Sequence, residues 1–152
     1  MQLAMTFDAV ADFLDREFPQ AGVAGMGARL DALAPGRLTL ALDAGERHLR
    51  PGGTVSGPSL FALADVAAYL CILAHIGPVM HVVTTNMSIN FLTKPSPGLL
   101  RAEASLLKLG RRLAVVEIAI RGAADELPAA HAVGTYSIPP KQPTPSRIVA
   151  VS

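Results

Sequence analysis

The stretch from Leu60 to Ile76 reads LFALADVAAYLCILAHI and limits the choice of fold more than anything else in the chain. A bilayer-spanning helix needs about 20 consecutive apolar residues. This run is shorter, carries Asp65 and His75, and has no second run to pair with. It is therefore expected to be a buried helix of a globular protein. A helix that is apolar all round must be enclosed on most sides. In a chain of 152 residues there is room for one domain to do this. Apolar residues make up 51% of the chain and charged residues 16%, more apolar surface than a small monomer usually hides. The excess is expected to cover a subunit interface as well as a core.

The flanking sequence supplies the enclosure. Thr6 to Phe18 places Phe7, Val10, Ala11, Leu14 and Phe18 at helical spacing, with Thr6 as N-cap and Pro19 as terminator. Gly27 to Asp43 reads as a hairpin turning at Pro35-Gly36, with Leu38, Leu40 and Leu42 alternating against polar or small neighbours. A loop, AGERHLRPGGTVSGPS, leads into the apolar helix, which should begin at Gly57-Pro58 and end at Gly77-Pro78. Four strand-like runs follow, Val79–Thr93, Leu99–Leu109, Arg112–Gly122 and Ala130–Ile138. The expected architecture is α+β, a curved antiparallel sheet wrapped around one long buried helix. Residues 1–20 form an N-terminal amphipathic helix, 21–139 the main domain and 140–152 a Pro-rich tail.

Several function classes are disfavoured. The net charge is +1 and no run of five or six like charges occurs, so a basic stripe for nucleic acid is lacking. Cys71 is the only cysteine, which excludes an intrachain disulfide and a thiolate zinc cage. His48, His75, His81 and His131 show no metal-ligand spacing, and no metal is expected. His48 is placed near the cleft, the other three at the surface or at strand ends. Cys71 reads as a packed core thiol. No G-x-S-x-G elbow, P-loop or dinucleotide fingerprint is present. The first residues lack a cationic-then-apolar signal, and the cytoplasm is the expected compartment.

Asp65 is the residue out of place. Aspartate is a poor helix-interior residue, and this one lies too far along the run to cap it. An isolated carboxylate in an apolar interior is costly unless paired or protonated. Asp65 is either a structural carboxylate with a partner or a solvent channel, or a catalytic base or nucleophile in a cleft.

From Arg50 to Gly122 the chain resembles the hot-dog-fold acyl-CoA thioesterases of the phenylacetate-degradation (PaaI-like) group. The resemblance rests on RPGGTVSGPSLFALADVAAYL, TTNMSINFLTKPSPGLLRAEASLLKLGRR and AVVEIAIRG. It implies that Asp65 is the catalytic acid residue and that the Gly57 N–H polarises the thioester carbonyl. A helix N-terminus suits that task, because its free N–H groups sit where an oxyanion would develop. It also implies that Thr84 orients the attacking water from the facing subunit. Two positions depart from the family pattern: Ser56 replaces a histidine and Arg50 an asparagine. Both are placed at the substrate, and an Arg50 reaching Asp65 would weaken it as a base. Lys108, Arg111 and Arg112 flank the Gly110 turn and are placed at the phosphates of coenzyme A, with Arg47 a weaker candidate; an ordinary solvated hairpin tip is the competing reading. Asn86 and Asn90 share one strand face and read as polar positions near a subunit seam.

The expected activity is acyl-CoA thioester hydrolysis by a homodimer or dimer of dimers, with catalytic groups from two chains. Coenzyme A enters only as part of the substrate, and no separate cofactor, nucleic acid or membrane partner is expected. The alternative is a hot-dog module that binds acyl-CoA without cleaving it.

Overall fold

The computed structural model describes residues 1–140, so all but the first residue of the expected tail 140–152 lies outside them. The elements run in the order α1 (Phe7–Glu17), β1 (Ala28–Ala34), β2 (Arg37–Ala44), a single 3₁₀ turn (Glu46–His48), α2 (Gly57–Ile76), β3 (Val83–Phe91), β4 (Gly98–Leu109), β5 (Leu113–Gly122) and β6 (Ala130–Ser137). The strands form one antiparallel sheet in the order β1-β2-β4-β5-β6-β3. Helix α2 packs against β2, β3, β4, β5 and β6. This is the hot-dog arrangement the resemblance implied.

Local chemistry sets each boundary. Thr6 caps α1, its Oγ1 accepting from the Ala9 N–H at 3.1 Å. The apolar face of α1 buries Val10, Phe13 and Leu14 in the same core as α2 and the sheet. The rings of Phe13 and Phe18 stand against Tyr69 of α2 at centroid distances of 6.3 and 5.8 Å. The Pro35-Gly36 loop joins β1 to β2, and Gly36 has φ +77°, the left-handed position that a Pro-Gly type II turn requires. Gly77, at φ +98°, ends α2 with its N–H on the Leu73 carbonyl at 2.8 Å. Just beyond it Val79 donates to the Gly77 carbonyl at 2.8 Å. That tight turn delays β3 to Val83, four residues later than the sequence pattern indicates.

Twelve of the twenty residues of α2 are buried, including Leu63, Leu70 and Ile72. By length and composition α2 could cross a membrane, yet it is the core of the sheet. Each such leucine or isoleucine contributes about 1.5–3 kcal/mol through burial. Strands β5 and β6 present two-residue alternation to the helix, with Ala114, Val116, Ile118 and Ile120 of β5 and Ala130, Ala132 and Tyr136 of β6 buried.

His75 departs from its expected surface position: it is buried within the last turn of α2. Its Nε2 accepts the Gly36 N–H at 2.8 Å and its Nδ1 donates to the Cys71 carbonyl at 2.7 Å. The ring ties the end of α2 to the β1–β2 turn. His48 is buried too, accepting from the Gly45 N–H at 3.0 Å and donating to the Met26 carbonyl at 2.8 Å. With Arg47, which donates to the Gly25 carbonyl, it clasps the loop before α2 to the segment before β1. Both residues therefore have local structural partners.

Candidate active site

Asp65 lies on the side of α2 that looks toward β3 and β6, half-buried rather than enclosed in the apolar core. Thr84 of β3 and Tyr136 of β6 are cross-strand partners on the sheet face toward the helix. Both donate to the same carboxylate oxygen: Thr84 Oγ1 to Oδ1 at 2.7 Å, and Tyr136 Oη to Oδ1 at 2.7 Å. Tyr136 Oη also lies 3.0 Å from the Asp65 backbone carbonyl. Among the described residues nothing donates to Oδ2. Burial, reinforced by the neighbouring Asp65 charge, pushes the Tyr136 phenol well above its usual range. Its proton stays on, and Tyr136 acts toward Asp65 as a donor.

Thr84 reaches Asp65 within one chain. The strand pattern of AHAVGTYS does not single out Tyr136. A signal was available: a buried tyrosine hydroxyl needs an acceptor, and the carboxylate stranded on the apolar helix needs donors.

Gly57 opens α2, and its N–H has no acceptor among the described residues. Ser56, the N-cap, spends its hydroxyl locally, accepting from the Ser59 N–H at 3.3 Å and donating to Ser59 Oγ at 2.9 Å. Beside Gly57 is a cavity of about 300 Å³ whose lining includes Arg50, Leu60, Phe91 and Lys94. The Phe91 ring stands where a Cβ on residue 57 would meet it at 3.4 Å. A broader open concavity of about 710 Å³, between the 93–98 loop and the 122–127 turn, shares Thr93 and Lys94 with it. Neither is lined by Asp65. Eight residues of α-helix separate Gly57 from Asp65, a rise of about 12 Å.

Arg50 is exposed and makes no ion pair with Asp65, and no other ion pair engages that carboxylate among the described residues. Lys108, Arg111 and Arg112 are exposed at the β4–β5 turn. No side-chain hydrogen bond or ion pair engages them among the described residues. Strand register sets this turn at the Thr84–Tyr136 end of the sheet, since Leu109 pairs with Ala114 and Ala114 with Tyr136. Asn86 and Asn90 pair opposite Thr135 and His131 on the sheet face away from α2, apart from the Asp65 cluster. His81 is exposed, and His131 meets Glu117 at 3.2 Å on that outer face. Cys71 is buried, its thiol pushed up to about 12 by burial. It is a packed, unreactive thiol. Among the described residues, no three His, Cys, Asp or Glu side chains gather as a metal site.

Comparison with known proteins adds the family. Residues 52–129 match the model of the thioesterase superfamily. A candidate thioesterase from Silicibacter sp. is 50% identical, with a TM-score of 0.83, over 92% of this chain and 96% of that one. A Ralstonia eutropha protein described as a candidate thioesterase related to phenylacetic acid degradation is 26% identical over 85% of this chain and 98% of its own, with a TM-score of 0.74. A mutant of the phenylacetic acid degradation protein PaaI from Thermus thermophilus is 27% identical over 80% and 97%, with a TM-score of 0.67. No curated protein matches the chain.

Proposed function

Since the chain belongs to the thioesterase superfamily and its hot-dog fold is PaaI-like, we propose that this thioester hydrolase acts on acyl esters of coenzyme A, with Asp65 as the working carboxylate. The observation that carries the reading is Asp65 itself: a carboxylate on an otherwise apolar helix, oriented by Thr84 at 2.7 Å, with one oxygen left unengaged. In the reaction Asp65 takes a proton from water as the water oxygen adds to the thioester carbon. The carbonyl oxygen gains negative charge and is met by the Gly57 N–H. The C–S bond then breaks, the thiolate leaves, and the proton held by Asp65 returns to it or to solvent. A free thiol has a pKa of about 8.5, so the leaving group needs little acid assistance. Direct attack by Asp65 on the carbonyl gives the same products through an anhydride that water then opens.

A thioester group cannot touch Gly57 and Asp65 of one chain across about 12 Å. The reading therefore uses two copies, the N-terminus of α2 from one facing Asp65 and Thr84 from the other. Support comes from β3, an edge strand of nine residues on which Val83 and Phe91 are more than half exposed. A long open edge of this kind invites pairing. Lys108, Arg111 and Arg112 would meet the coenzyme phosphates, and Arg50 with Lys94 would line the passage beside Gly57. Ser56 serves the substrate only indirectly, by fixing the end of α2.

The test is thiol release from short, long and aromatic acyl-CoA esters by wild type and Asp65→Asn. Turnover lost in the variant, with its melting temperature retained, supports the reading. Turnover that persists unchanged in Asp65→Asn removes Asp65 from the chemistry. Stoichiometric acyl-CoA binding by wild type without thiol release would instead support a binding module.

A further inference from the structure

The two oxygens of Asp65 are in different situations. Oδ1 accepts from both Thr84 and Tyr136 at 2.7 Å, while Oδ2 accepts from nothing among the described residues. Two donors on one oxygen fix the side-chain rotation, because the carboxylate cannot turn without breaking both bonds. A charge-assisted O–H···O⁻ bond is stronger than a neutral one and more selective in direction. The two donors also come from different strands, one at the sheet edge and one inside it.

We propose that Tyr136 is a positioning residue for the hydrolysis, holding Asp65 through Oδ1 so that Oδ2 alone faces water and the thioester. This rests on the reading of Asp65 as the working carboxylate and goes one step beyond it. Thr84 is exposed, so solvent competes for its hydroxyl; Tyr136 is fully buried, and its hydroxyl is shielded from that competition. The ring is seated by Gly134, two residues earlier on the same strand face. A Cβ there would stand 2.9 Å from Tyr136 Cε1, closer than packed carbons tolerate. The glycine thus keeps space for the ring, and the ring delivers the hydroxyl. Tyr136 stays protonated beside the carboxylate, so its part is to donate a hydrogen bond, without taking up a proton from water.

Tyr136 Oη also reaches the Asp65 backbone carbonyl at 3.0 Å, and a purely structural pin on the helix would use that contact alone. Steady-state kinetics separate the two. Tyr136→Phe keeps the ring and removes only the hydroxyl. Its expected effect is a fall in kcat of about 10- to 100-fold, the loss of a hydrogen bond to a charged group, with KM within about twofold of wild type. Thr84→Val lowers kcat as well, and the double variant falls by a factor different from the product of the two, because both bonds hold one oxygen. A melting temperature that drops in Tyr136→Phe while kcat and KM stay at wild-type values would assign the hydroxyl to structure and overturn the proposal. If Tyr136→Phe fails to fold, Gly134→Ala displaces the ring by another route, and an unchanged kcat in that folded variant overturns the proposal equally. Asp65→Asn is assayed in parallel. Its full activity would end the reading of Asp65 itself, whereas an inactive Asp65→Asn beside a fully active Tyr136→Phe would end only the role of Tyr136.

Discussion

Ser56 shows how one hydroxyl can be read in two ways. At a position where the family resemblance implies a histidine it invites a substrate role, yet its oxygen closes the first turn of α2 onto Ser59. Removing an N-cap hydroxyl costs about 1 kcal/mol. Ser56→Ala is therefore expected to lower stability in urea by about that amount, and Ser56→Asp, which also caps, to restore most of it. A large KM change in Ser56→Ala at unchanged stability would return Ser56 to the substrate. Asp65 follows the same logic with the opposite outcome. Its Oδ1 is used up by Thr84 and Tyr136, but a carboxylate has a second oxygen, and that remainder is what the proposed hydrolysis would use. The residue type pointed to chemistry; the division of labour between its oxygens depends on which strands reach it.

At the scale of elements, α2 is held at both ends by different devices. Its start is capped by Ser56 and its end is tied by His75 to the β1–β2 turn, where the ring accepts the Gly36 N–H at 2.8 Å. The hydrogen bond of a half-buried backbone N–H such as that of Gly36 contributes about 0.5–1.5 kcal/mol. His75→Leu is expected to destabilise the protein by that range, read as a lower denaturation midpoint. It should leave kcat near wild type, since ten residues of helix, about 15 Å, separate it from Asp65. Undiminished stability in His75→Leu would mean that Gly36 finds another acceptor and that the tie is dispensable. Strand β3 contrasts with α2. One side of it is paired along eight residue positions to β6, while its other edge has no strand partner among the described residues, and it carries Thr84 at that border.

In the proposed reading, the whole molecule carries two halves of a site that do not meet within one chain. Gly57 with its cavity stands at one end of α2, and Asp65 with Thr84 and Tyr136 stands about 12 Å along it. A second copy pairing at β3 would bring opposite halves together and cover part of the exposed apolar surface at Val83 and Phe91. Activity per chain is then expected to fall on dilution in step with the dimer fraction measured by sedimentation. A monomer that retains full specific activity would show that one chain suffices.

The fold was largely written in local sequence. A seventeen-residue apolar run between Gly57-Pro58 and Gly77-Pro78 fixes a central helix, because proline and glycine act on the backbone at those positions whatever surrounds them. Alternating strand residues separated by Pro and Gly turns fix an antiparallel sheet, since side chains one residue apart must face opposite ways. Asp65 was legible for a related reason: a charge among apolar neighbours is conspicuous without any knowledge of its partners. Tyr136, His75 and His48 were not. Each owes its role to a partner at least twenty residues away, 71 for Tyr136 and Asp65, 39 for His75 and Gly36, 22 for His48 and Met26. Such pairings are decided by strand order and register, β6 lying between β5 and β3, and a linear pattern does not carry that information. The sequence by itself determined which helix and strand runs supply the apolar core and which residue is chemically anomalous; the tertiary structure decided which polar side chains are buried and which hydroxyls reach that residue, because hydrogen bonds form between groups the fold brings within about 3 Å.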